Sequence, residues 1–111
     1  MFHLIEQRRE AIVELCRRFR VRRLYIFGSA AAADRFDPDR SDLDFLVAMD
    51  DRRPTGSYAD RVLDLADALE QLFGRRIDLV TEESIRNPYF RREIEATRCL
   101  VYERAHEEAA A

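Results

Sequence analysis

Apolar residues follow two rhythms along this chain, and the change from one to the other marks out the elements. Over residues 4–19, Ile5, Ile12, Leu15, Cys16 and Phe19 share one helical face with arginines and glutamates opposite, which predicts an opening amphipathic helix. "RRLYIFG" and "DLDFLVAM" (residues 42–49) are short runs rich in aromatic, branched and aliphatic residues, as expected of strands covered on both faces. "DDRRPTGS" between the second run and the next helix carries turn residues. Tyr58, Val62, Leu65, Ala66, Leu69 and Phe73 then mark a long helix, with Ser57 as its expected N-cap and Gly74 as its stop. "RIDLVT" predicts a third strand, Asn87 caps a short helix opening at Pro88, and "RCLVYE" predicts a fourth strand. The fold class is α/β: one layered domain over residues 1–103, a small mixed sheet of about four strands covered by helices, with residues 104–111 as a frayed Glu- and Ala-rich tail.

Composition narrows the function classes. With 47% hydrophobic and 37% charged residues the chain reads as globular, and no apolar run is long enough to span a membrane. No leader pattern is read at its start, so a cytoplasmic protein is expected. All 19 basic residues are arginine, yet the net charge is −3, which argues against a broad nucleic-acid footprint, so no direct nucleic-acid binding is expected. Cys16 and Cys99 lie far apart and read as free thiols, and neither His3 nor His106 has a second ligand at helical spacing, so no zinc site is read. The arginine pairs Arg8-Arg9, Arg17-Arg18 and Arg91-Arg92 read as solvated helix faces. Tyr25, Phe27, Phe73, Tyr89, Phe90 and Tyr102 read as core.

The candidate chemistry lies in "FGSAAAADRFDPDRSDLDFLV", residues 27–47. Gly28 and Ser29 stand where the first strand ends and a helical turn can begin, so that free N–H groups and the Ser29 hydroxyl would face one space, an anion site. Asp42 and Asp44 are two apart on a strand, so their side chains project together from Cα atoms about 6–7 Å apart. Leu43, Phe45 and Val47 take the other face, which lets the strand be apolar and still carry two acids. In the third strand Asp78 alternates with the core-facing Ile77 and Leu79 and would join the pair if the strands are neighbours. Like charges this close destabilise one another unless protons or divalent cations intervene. A cap at Asp42 and a solvent-facing acid at Asp78 explain either residue singly; the three acids with Gly28-Ser29 are better explained as a metal and phosphate site. For both halves to build one pocket, the first two strands must run antiparallel side by side. Neither dinucleotide-binding nor P-loop glycine motifs occur.

"GS", a short spacer, "SDLDFLV" and the later acid of "RIDLV" resemble the nucleotidyltransferase superfamily that includes polymerase β. The small size and the ending "NPYFRREIEATRCLVYE" are similar to its minimal members, the MntA-like antitoxins of HEPN/MNT toxin-antitoxin pairs, over about residues 20–103. The resemblance implies Mg2+-dependent transfer of AMP from ATP, with pyrophosphate leaving and a tyrosine of a HEPN-type toxin as acceptor. Carried over by position, Gly28 and Ser29 bind the nucleotide phosphates, and Asp42, Asp44 and Asp78 are the catalytic and metal-ligating residues for two Mg2+ ions, Asp78 also taking the acceptor's proton. One departure stands out: relatives often continue Gly-Ser-x-Ala-Arg-Gly, and here Ala32 and Ala33 occupy the Arg and Gly places, which leaves Arg35 and Arg40 as the nearest replacements and predicts weaker triphosphate binding. Two alternatives remain, a binding-only antitoxin of the same fold and a transferase acting on a small hydroxylated molecule.

Overall fold

The structure is a computed structural model that describes residues 3–28, 42–49 and 56–104, with backbone alone at positions 3, 4, 56 and 57. Four strands, β1 (Val21–Phe27), β2 (Leu43–Met49), β3 (Ile77–Thr81) and β4 (Cys99–Glu103), form one sheet in the order β3-β2-β1-β4. Among the described residues the helices are α1 (His3–Gln7), α2 (Arg9–Arg18), α3 (Gly56–Phe73) and α4 (Pro88–Thr97), with a 3-10 turn at Glu82–Ser84. β1 pairs antiparallel with both β2 and β4, whereas β2 and β3 are parallel, so the sheet is mixed as the two-part motif required. α3 is the crossover that parallel neighbours need.

Register sorts the side chains onto two faces. Leu24 and Ile26 of β1 stand opposite Val47 and Phe45 of β2, and Leu43 and Phe45 stand beside Ile77 and Leu79 of β3. These residues face α1, α2 and α3 and form the larger core with Ile5, Ile12, Cys16, Leu65, Leu69 and Phe73. Phe45 is fully buried there, its ring 6.0 Å from that of Phe73. On the other face Phe27 and Leu46 meet Ile85 and Ile94, with Tyr25 and Val80 against them, so α4 covers this side with a smaller cluster. β2 is thus apolar in both directions, except where Asp44 stands.

The opening helix is two helices. Arg8 forms a turn between α1 and α2, and its guanidinium crosses to the end of α3, where Nε donates to the Leu72 carbonyl at 3.0 Å and the group lies 5.8 Å from the centre of the Phe73 ring. Arg9 donates to the Val101 carbonyl of β4 at 3.1 Å, and Arg91 to that of Ile85 at 2.8 Å. Three of the paired arginines therefore tie elements together rather than merely lining solvated faces, because a guanidinium on a long stem can cap a carbonyl that its own element leaves open. α3 starts at Gly56, which puts Ser57 inside its first turn rather than at the cap, and Gly74 closes it at φ +65° with its N–H on the Glu70 carbonyl. Asn87 caps α4 as its sequence position predicts, its side-chain oxygen accepting from the N–H groups of Tyr89 and Phe90. Tyr89 is not core: it is 77% exposed, while Phe90 keeps an edge-on contact with Phe27 at 6.1 Å. Among the described residues no helix is long and apolar enough to cross a membrane.

Candidate active site

The antiparallel pairing of β1 and β2 ends at Phe27 opposite Asp44, which brings the residue after β1 onto the aspartate. Gly28 adopts φ +71°, a conformation that glycine reaches without the steric cost other residues bear. A Cβ there would lie 2.7 Å from Asp44 Oδ2. Gly28 is therefore dictated twice, by its backbone and by the carboxylate packed against it. Its own N–H is already used: it donates to Oγ1 of Thr97, in the last turn of α4, at 3.1 Å. Anion contacts at this turn must come from the N–H groups after it; Ser29, the expected partner, lies outside the described residues, as do Ala32, Ala33, Arg35 and Arg40.

Asp44 stands beside Asp78 in the parallel register of β2 and β3, both on the face that carries Leu46 and Val80. Asp42, immediately before β2, and Asp78 are exposed, whereas Asp44 is only partly so. Burial pushes the Asp44 carboxyl up to about 6, and the negative charges of Asp78 and then Asp42 add to the shift. The structure thus brings all three acids within electrostatic reach of one another at one end of the sheet. Among the described residues no three acidic, histidine or cysteine side chains close into a ready ligand cage, so the triad is a cluster of neighbouring charges around Asp44. By donor type these residues suit a hard, oxygen-preferring divalent cation, and an ion there would relieve the repulsion that Asp44 now carries.

The thiols take no part in this chemistry. Cys16 is buried under α2, with its pKa pushed up to about 12 by desolvation, and Cys99 is also free. The residue that sequence reasoning missed is Thr97. A threonine near a helix end has no motif of its own, and only the packing of α4 against β1 shows its hydroxyl meeting Gly28.

Comparison with known proteins shows the family and the fold. The family model described as a nucleotidyltransferase domain matches residues 8–101. A protein of Methanocaldococcus jannaschii provisionally named a protein adenylyltransferase is 34% identical over 78 residues, 70% of this chain and 74% of the relative. A solved structure described as a minimal nucleotidyltransferase is 33% identical and superposes with a TM-score of 0.62, covering 88% of this chain and 95% of the other. Two structures of toxin-antitoxin complexes share the fold at 18% identity. One, with AMP-PNP, has a TM-score of 0.65 and covers 92% of this chain and 78% of the other. The second, a tri-AMPylated Shewanella oneidensis HEPN toxin with an MNT antitoxin, has a TM-score of 0.57 and covers 96% and 78%.

Proposed function

We propose, for a chain that belongs to the nucleotidyltransferase family, that it transfers AMP from ATP to a tyrosine of a HEPN-type toxin and so acts as the antitoxin of the pair. The observation that carries this reading is the crowding of Asp42 and Asp78 around the half-buried Asp44, beside Gly28 in its left-handed turn. Asp42, Asp44 and Asp78 would hold Mg2+, which supplies neutralisation of the triphosphate charge and of the charge developing on the leaving pyrophosphate. Gly28 lets the chain pass close to Asp44, and Ser29 with the N–H groups beyond it binds the phosphates. The acceptor oxygen forms a bond to the α-phosphorus as the bond from that phosphorus to the bridging oxygen breaks. Pyrophosphate leaves with the electron pair, and Asp78, on the solvent-open side of the cluster, takes the hydroxyl proton.

Support for the acceptor comes from two directions. The acids stand at the rim of a small sheet, with Asp42 and Asp78 open to solvent, so a partner's side chain can complete the site from outside. The structural neighbours include a HEPN toxin carrying AMP groups in complex with its antitoxin. The test is incubation with a HEPN-type toxin, Mg2+ and ATP, read by intact-mass spectrometry. One or more AMP increments on a partner tyrosine are expected from the wild type and none from Asp44→Ala. A complex that neutralises the partner without any mass change would replace this reading by a binding-only antitoxin.

A further inference from the structure

A bond from outside the sheet holds Gly28 at the end of β1. Gly28 donates its N–H to Thr97 Oγ1 at 3.1 Å, and the same hydroxyl bonds the Glu93 carbonyl one turn back along α4 at 3.0 Å. The bond to Glu93 takes the hydroxyl's only proton and fixes its rotamer, leaving a lone pair for the Gly28 amide. Among the described residues no ladder bond takes its place, because the pairing of β1 ends at Phe27 against β2 and at Ile26 against β4. Glycine also has the widest backbone freedom of any residue, so its position has to be imposed by a neighbour. α4 is suited to impose it. The helix is capped by Asn87, tied to Ile85 through Arg91, and seated on the sheet by Ile94 and by Phe90 against Phe27.

We propose that Thr97 is a positioning residue for the nucleotide: its hydroxyl sets where Gly28 sits beside Asp44, at the end of β1. This rests on the nucleotidyl-transfer reading. The Thr97 hydroxyl hydrogen-bonds Gly28 and the Glu93 carbonyl and none of the three acids, so its loss bears on nucleotide binding more than on the bond-making step.

The test compares Thr97→Val, which replaces the hydroxyl by a methyl of similar shape, with Thr97→Ser, which keeps it. Two quantities are read: the hydrogen-exchange rate of the Gly28 amide by NMR without nucleotide, and KM and kcat for Mg-ATP with a saturating acceptor. In Thr97→Val the Gly28 amide should exchange about tenfold faster and KM should rise about 5- to 10-fold, the loss of roughly one net hydrogen bond, with kcat changed by less than about twofold. Thr97→Ser should restore both. Wild-type exchange at Gly28 in Thr97→Val, a fall in kcat at unchanged KM, or a Thr97→Ser as impaired as Thr97→Val would each overturn the positioning role while wild-type transfer stands. A wild-type protein that binds no Mg-ATP would instead overturn the transfer reading, and the role of Thr97 in it.

Discussion

Replacing Asp44 with asparagine should stabilise the metal-free protein, although it destroys the site. Burial and the charges of Asp78 and Asp42 push this carboxyl up to about 6, against an ordinary value near 4. Two units correspond to about 2.7 kcal/mol of disfavoured charge at neutral pH, and solvent screening of a partly exposed group reduces this to about 1–2 kcal/mol. The sign follows from linkage. The folded state binds the Asp44 proton more tightly than the unfolded chain does, so the associated stability is fully present below about pH 4 and is lost as pH rises through about 6. Asp44→Asn cannot lose it. Thermal melts in a chelator at pH 7.5 should therefore place Asp44→Asn about 5–10 °C above the wild type, the gap narrowing towards pH 5 and closing near pH 4. Because desolvation is the larger cause, most of the gap should survive about 0.5 M salt, which screens only the contribution of Asp78 and Asp42. Added Mg2+ should raise the wild type and leave Asp44→Asn where it was. A variant that melts lower than the wild type at pH 7.5, or a gap indifferent to pH, would refute the argument and return Asp44 to an ordinary structural role.

Two further substitutions test the geometry around it. Gly28→Ala should cost about 1–2 kcal/mol by calorimetry and remove AMP transfer, since it puts a Cβ into the left-handed conformation and against Asp44 Oδ2. Part of that cost should disappear in the Gly28→Ala, Asp44→Ala double variant, and strict additivity would show that the close approach is not its source. Asn87→Ala should lower stability by about 1 kcal/mol in urea melts through loss of the α4 cap, with transfer retained at temperatures well below the melt.

What the chain makes legible depends on how local its cause is. Strands β1 and β2 announce themselves as apolar runs, Gly74 and Asn87 stop and start helices by their own chemistry, and the alternation in "DLDFLV" and "RIDLV" foretells which acids leave the core face. The antiparallel pairing of β1 with β2 follows from requiring the Gly-Ser step and the aspartate pair to meet. Three features escape because their causes lie far along the chain. Arg8 breaks the first helix while bonding a carbonyl 64 residues away, Thr97 meets Gly28 across 69 residues, and Tyr89 reads as core although α4 seats Ile94 on the sheet and turns Tyr89 to solvent. Helical periodicity cannot separate an arginine that lines a surface from one that reaches across it, nor a threonine that ends a helix from one that holds a strand.

Gly28 and Asp44 are better understood as one packing decision than as two motif residues. Sheet register alone places Phe27 opposite Asp44, and the next residue must then turn away without a side chain or displace the carboxylate. A side chain at position 28 would press on Asp44 from the β1 side, opposite Asp78 in β3, and displace the carboxylate that a cation would bind. Each residue supplies the reason for the other, which is why a glycine and an acid 16 positions apart carry more information together than either does alone.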